Sequence, residues 1–225
     1  MLDVIRASVP CESGVRGWYW LTSFNIPEKM LLTYGFRYNA ELDSVLIPCG
    51  NMAVASSDGV FADFLPESMP IWVARRLSRR VGDKKTPKYV TIRLKDSSPT
   101  CVLICKGIAN EKTASRPVVI VEDVLSALKL AAAGFDGLAL CGVSLRADEH
   151  LHAIKSHPVV IWFDNDNKQV LDRARLCRDA VIAARTGLEH GYPITMITPD
   201  LYVGDPKSAS YSTINELVNG VLERA

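Results

Sequence analysis

The sequence has no pair of cysteines at zinc-ribbon spacing. Its six cysteines are Cys11, Cys49, Cys101, Cys105, Cys141 and Cys177. Only Cys101 and Cys105 stand close together, and the stretch CVLIC reads as an apolar strand, not a metal knuckle. These thiols are read as reduced and mostly buried, which excludes a zinc module. No apolar run is long enough to cross a bilayer. The opening residues, MLDVIRASVPCES, contain no apolar core of signal-peptide length. A cytoplasmic protein with no membrane role is expected. The chain also lacks internal repeats, low-complexity tracts and coiled-coil heptads. A net charge of +1 says nothing about partners.

What the chain does have is an ordinary globular composition, 48% hydrophobic and 23% charged over 225 residues. That is enough for one large domain or two small ones with ample core. The charge is unevenly spread. Arg75, Arg76, Arg79, Arg80, Lys84, Lys85, Lys88, Arg93 and Lys95 crowd one stretch against a single acid, Asp83, with Trp72 and Tyr89 in or beside it. Such a run suits either a solvated surface or a phosphate-binding one, where cations hold the backbone and an aromatic ring stacks a base.

Two unlike regions follow one another. In the first, GWYWLTSFNIPEKMLLTYGF predicts two short helices broken at Pro27. From Leu42 to about Cys105, short strands are punctuated by Gly, Ser, Asp and Pro: SVLIPCG, MAVASS, GVFADF, PIWVARRL, KYVTIRL and TCVLIC. From about residue 118, apolar runs alternate with helical patterns. PVVIVE leads to DVLSALKLAAAG, in which Val124, Leu125, Leu128 and Ala132 share a helical face and Gly134 closes the end. GLALCG, an amphipathic stretch around SLRADEHLHAIKS, PVVIWFD, a long helix from about Val170 to His190, YPITMIT and STINELVNGVLER complete the series. This β-α alternation predicts a mainly parallel sheet flanked by helices. The fold class is therefore α/β, with an α+β region over residues 1–110 and a parallel-sheet domain over residues 111–225. The changeover is placed near GIANEKTASRP, residues 107–117.

Acidic residues stand at the ends of those strands. Glu122 ends VVIVE, Asp164 and Asp166 end VVIWFDND, and Asp205 lies in GDPKS, shortly after YPITMIT. In a parallel sheet these strand ends open onto one edge, where ligands gather. Alternation puts Asp164 and Asp166 on the same side. Each has a local alternative: an Asx turn or helix cap for the Asp pair, a first-turn carboxylate for Glu122, a turn for Asp205 before Pro206. Together, converging carboxylates repel unless a cation lies between them. Oxygen donors without histidine suit Mg²⁺ or Mn²⁺, ions that organise phosphoryl chemistry.

A strand-ending Glu followed some forty residues later by a strand-ending Asp-x-Asp, in this α/β order, resembles the TOPRIM domain of DnaG-type and phage primases, topoisomerases and some nucleases. The resemblance covers roughly residues 118–210. It rests on VEDVLSALKLAAAGFDGLALCGVSL, with Gly142 at the loop, on WFDNDNKQ and on GDPKS. Upstream, IPEKMLLTYGFRYNAELDSVLIPCG, WVARRL and TPKYVTIR resemble the basic subdomain that precedes TOPRIM in primases. A topoisomerase needs a nucleophilic Tyr in a separate domain, for which there is no room.

The resemblance implies a compact primase of phage type, a nucleotidyltransferase that copies single-stranded DNA into short RNA from ribonucleoside triphosphates. It implies metal ligation by Glu122, Asp164 and Asp166, with Asp205 assisting. Arg75 or Arg76, together with Lys88, would line the groove for template and nucleotide. Three departures stand out. Ser126 occupies the place of a second acid four residues after Glu122, Asn167 stands where Gly commonly follows the Asp-x-Asp, and Lys207 replaces an acid after Asp205-Pro206. Two-metal occupancy is in question on that account. Neither a zinc ribbon for start-site choice nor a P-loop helicase is found, so either a replicative helicase or separate zinc-binding protein supplies those functions as a partner, or start-site choice is loose. The rivals are a TOPRIM nuclease and a non-catalytic TOPRIM protein that binds nucleic acid or a replication partner.

Overall fold

In the computed structural model, residues 2–49, 71–78, 87–93, 102–104, 116–141, 145, 154, 157–164, 168–186 and 191–225 are described. The chain divides into two units, the first drawn from residues before Cys101 and the second running from Cys101 to Ala225. MAVASS, GVFADF, most of SLRADEHLHAIKS and the Gly142 loop lie outside the described residues.

The first unit opens with α1 (Leu2–Arg6), β1 (Val9–Pro10), α2 (Arg16–Thr22) and α3 (Glu28–Tyr34). The break between α2 and α3 falls where the sequence predicts it. Pro27 caps α3, and Gly35 ends it with φ of 77°, a left-handed conformation that glycine adopts without a Cβ penalty. Then come β2 (Arg37–Asn39), β3 (Ser44–Cys49), β4 (Ile71–Arg76) and β5 (Tyr89–Arg93). The five strands form one sheet in sequence order, every pair antiparallel. β3 is buried along its whole length, as a central strand must be when both faces are covered.

The second unit contains β6 (Val102–Ile104), β7 (Val118–Val121), α4 (Val124–Ala133), β8 (Asp136–Ala139), β9 (Val159–Ile161), α5 (Lys168–Arg185), β10 (Ile194–Met196) and α6 (Tyr211–Glu223). Its strand order is β10-β9-β7-β8-β6. The first four are mutually parallel, and β6 lies antiparallel at the edge. Sequence reading grouped TCVLIC with the strands of the first region, but β6 pairs with β8 instead. A short apolar strand has no signal for its partner, and this one joins the sheet whose edge it can cover. Among the described residues no helix is long and apolar enough to cross a membrane.

Alternation along the strands divides the sheet's two faces. Val118, Ile120, Leu138, Val159, Ile161 and Phe163 pack with Ala174, Cys177 and Val181, an i, i+3, i+7 stripe on α5. On the opposite face Gly137 lies under α4. A Cβ there would come within 2.6 Å of the Ala127 carbonyl oxygen and 2.8 Å of its Cα, so only glycine lets helix and strand approach this closely. α4 is buried from Val124 through Ala131, capped at its start by Asp123 and closed by Gly134 at φ of 106°. α6 buries only Ile214, Val218 and Val221 among its 13 residues. It is a surface helix with one apolar stripe.

Candidate metal centre and basic strand

The carboxyl ends of β7 and β9 lie side by side because the strands are neighbours in parallel register, with Ile120 opposite Ile161. This brings Glu122 and Asp164 together: the Asp164 backbone N–H donates to Glu122 Oε2 at 3.2 Å. Glu122 Oε1 meets the Arg173 guanidinium of α5 at 2.9 Å. Burial raises the Glu122 pKa. Arg173 and the Asp164 N–H oppose that rise, and the Asp164 and Asp123 charges add to it. The balance is upward, so the site favours added positive charge.

Asp205 is held differently. It caps a 3₁₀ turn, Pro206–Ser208, with Oδ1 accepting from the Ser208 N–H at 3.2 Å and from its hydroxyl at 2.8 Å. Its other oxygen is paired with the Lys207 ammonium. The same ammonium lies 2.9 Å from Asp123 Oδ2. Asp123 in turn accepts from the Ser126 N–H at 3.1 Å and from the Ser126 hydroxyl at 3.0 Å. Burial alone would lower the Lys207 pKa, but the two carboxylates outweigh it and raise it above the ordinary lysine value.

The acidic edge thus contains two pairings, Glu122 with Asp164 and Asp123 with Asp205, the second bridged by lysine. Asp166 lies outside the described residues. Among the described residues no three acidic, histidine or cysteine side chains are gathered closely enough to hold one ion. Glu122 and Asp164 bring carboxylate oxygens to one place, the donor type that a hard divalent cation takes. Sequence reasoning missed Arg173, Asp123 and the bridging role of Lys207. It passed over Ser126 as an absent acid, whereas Ser126 fixes Asp123.

In the first unit, Arg75 of β4 stands opposite Tyr89 of β5. Its guanidinium lies 5.4 Å from the Trp20 ring centroid and 5.3 Å from that of Tyr89, within cation–π range of both. The Lys88 ammonium is 5.5 Å from the Tyr89 ring. The structure therefore gathers Arg75, Lys88 and Tyr89. Arg76 is half-buried, and its N–H bonds to the Lys88 carbonyl at 3.1 Å. Trp72 does not join them. It is 2% exposed and paired across the sheet to Pro48 and Ile92, so its ring has no face to offer a base. Tyr89 is 41% exposed, with the Arg75 and Lys88 cations over its ring. Arg79, Arg80, Lys84 and Lys85 lie outside the described residues.

No protein-family model and no curated protein sequence matches the chain. Its fold, however, is similar to that of solved primases. The zinc-binding and RNA polymerase domains of the Aquifex aeolicus primase superpose with a TM-score of 0.60 at 12% identity, covering 94% of this chain and 56% of that one. The E. coli primase catalytic core gives 0.59 at 14% identity, covering 92% and 72%. A DnaG primase catalytic domain bound to single-stranded DNA gives 0.58 at 14%, covering 92% and 71%. The chain spans little more than half of the Aquifex structure. At these identities the likeness speaks for the fold: a basic antiparallel unit followed by a TOPRIM-like parallel sheet, as in the DnaG primase catalytic core.

Proposed function

We propose that this chain is a compact DNA primase that makes short RNA from ribonucleoside triphosphates on single-stranded DNA. The observation that carries the reading is the Glu122–Asp164 pair at the carboxyl edge of the parallel sheet, within a fold like that of primase catalytic cores. Glu122 and Asp164, with Asp166, would hold Mg²⁺ or Mn²⁺. When bound, such an ion supplies charge neutralisation at phosphoryl oxygens and lowers the pKa of the attacking hydroxyl. Arg75 and Lys88 hold phosphate groups of template or nucleotide, aided by Arg76, Arg79, Arg80, Lys84 and Lys85, and Tyr89 offers a stacking face. The site of action is the cytoplasm of a bacterium or phage-infected cell, with a replicative helicase or a zinc-binding start-site protein as partner.

A second reading has one observation behind it. Lys207 neutralises two of the edge carboxylates, as suits a protein that retains the fold and binds without turnover. The test is primer synthesis on a mixed single-stranded template with labelled ribonucleotides and Mg²⁺ or Mn²⁺. Short RNA products are expected. No product with template binding intact favours the non-catalytic binder, and degradation of the template without nucleotides favours a nuclease.

Tyr89 gives a separate check on the basic strand. Tyr89→Ala should weaken single-strand binding by about 1 kcal/mol or more, roughly fivefold, if a base stacks there. Fluorescence anisotropy with a labelled oligonucleotide reads this directly. Affinity should also fall steeply with salt, because the cations release counterions from phosphate. A flat salt response would remove the nucleic-acid role.

A further inference from the structure

We infer that Lys207 is a resident cation that occupies Asp123 and Asp205 and thereby limits the acidic edge to one divalent ion. The inference rests on the metal-site reading above and settles its stoichiometry. All four oxygens of these two carboxylates are engaged by the chain's own donors. Asp123 Oδ1 accepts from the Ser126 N–H, and Oδ2 accepts from the Ser126 hydroxyl and Lys207. Asp205 Oδ1 accepts from the Ser208 N–H and hydroxyl, and Oδ2 from Lys207. An ion approaching either acid meets the Lys207 ammonium at close range, and lodging between the two carboxylates means displacing it.

That displacement is unfavourable because the clamp is shielded. The Lys207 and Asp205 side chains are only 17% and 11% exposed. A buried charge left without its partner loses far more than an exposed one. Lys207 is also covalently tethered two residues from Asp205, so it competes at high effective concentration. Glu122 contrasts with this. Its cationic partner, Arg173, is 46% exposed, and a solvated arginine gives up a surface pair at small cost. Asp205 is thus a positioning residue. It fixes Lys207, and through Lys207 it fixes Asp123 at the start of α4, next to Glu122.

The experiment is Mn²⁺ titration of the full chain, with free Mn²⁺ followed by electron paramagnetic resonance. Wild type is expected to saturate at one ion per chain, and Lys207→Gln to gain a second. Lys207→Arg, which retains a cation, should remain at one. Asp205→Asn should stay at one ion and lose no more than about a hundredfold in affinity, the upper end for a residue that supports ligands without touching the ion. Two ions in wild type, a single ion in a folded Lys207→Gln, or a larger loss in Asp205→Asn overturns the proposal. The wild-type and Asp205→Asn measurements decide the matter even if Lys207→Gln does not fold. No bound Mn²⁺ in wild type would instead fell the metal-site reading, and this proposal with it.

Discussion

Glu122→Gln should reduce primer synthesis by about a hundredfold or more while leaving the chain folded. A hundredfold corresponds to roughly 2.7 kcal/mol of lost transition-state stabilisation, within the range expected when an ion that neutralises phosphoryl charge is lost. Glutamine keeps the shape of the side chain and its acceptor for the Asp164 N–H, but not the charge. Stability should move the other way. Glu122 has a folded pKa raised above its ordinary value, chiefly by burial. The folded chain therefore binds this proton more tightly than the unfolded chain does. Its contribution to stability is most favourable below the ordinary carboxylate pKa and is lost as pH rises through the raised one. At pH 7 the ionised side chain is a net cost, so the metal-free variant should melt no lower than wild type. The Arg173 pair lost in the exchange is half-exposed on the arginine side, and such pairs contribute about 0–1 kcal/mol. Mn²⁺ should raise the wild-type midpoint by binding the folded state, and the variant's much less. A variant that retains activity, or that unfolds at pH 7 without metal, contradicts this account of Glu122.

How much of this could be read without the structure depends on the range of the interaction. The β-α alternation of the second unit was legible because each parallel strand is an apolar run and each helix has a 3.6-residue stripe, as in α5 with Ala174, Cys177 and Val181. The Glu122–Asp164 pairing was legible as well. Two strand ends in a parallel sheet must share an edge, and β7 and β9 turned out to be neighbours. What the chain brings together over distance was not. Lys207 and Asp123 are 84 residues apart, and neither position signals the other. Arg173 is one of several arginines on a polar helix, and spacing cannot say which of them turns toward Glu122. Trp72 and Tyr89 looked equivalent in sequence. Only the strand register, which places Tyr89 opposite Arg75 and buries Trp72, separates them. Ser126 was misjudged because the acid beside it had been given no role.

Trp162→Ala should destabilise the second unit by about 3–5 kcal/mol, the usual cost of truncating a buried tryptophan. Trp162 has no exposed surface. Its backbone N–H extends the β7–β9 pairing by bonding to the Ile120 carbonyl at 2.9 Å. Its indole N–H donates to the Gly204 carbonyl at 3.1 Å, and its ring meets Tyr202 edge-on at 5.5 Å between centroids. One side chain thus ties the strand that carries Asp164 to the loop that carries Asp205. The deletion leaves a cavity and takes one donor away from the Gly204 carbonyl. Amide hydrogen exchange of β7 and β9 measures the second unit by itself, and it should quicken by a hundredfold or more, since each 1.4 kcal/mol is a factor of ten. Trp162→Phe separates the two contributions. It retains most of the apolar volume but loses the hydrogen bond and leaves a smaller gap, so it should cost about 1–3 kcal/mol. The functional effect should follow the same order. Loosening the Gly204 loop frees Asp205 and Lys207 to move relative to Asp123, and both variants should lower metal affinity, Trp162→Ala more than Trp162→Phe. Equal exchange rates in wild type and Trp162→Ala would mean that the loop and the strand hold their places independently, and that the acidic edge is organised by Lys207 alone.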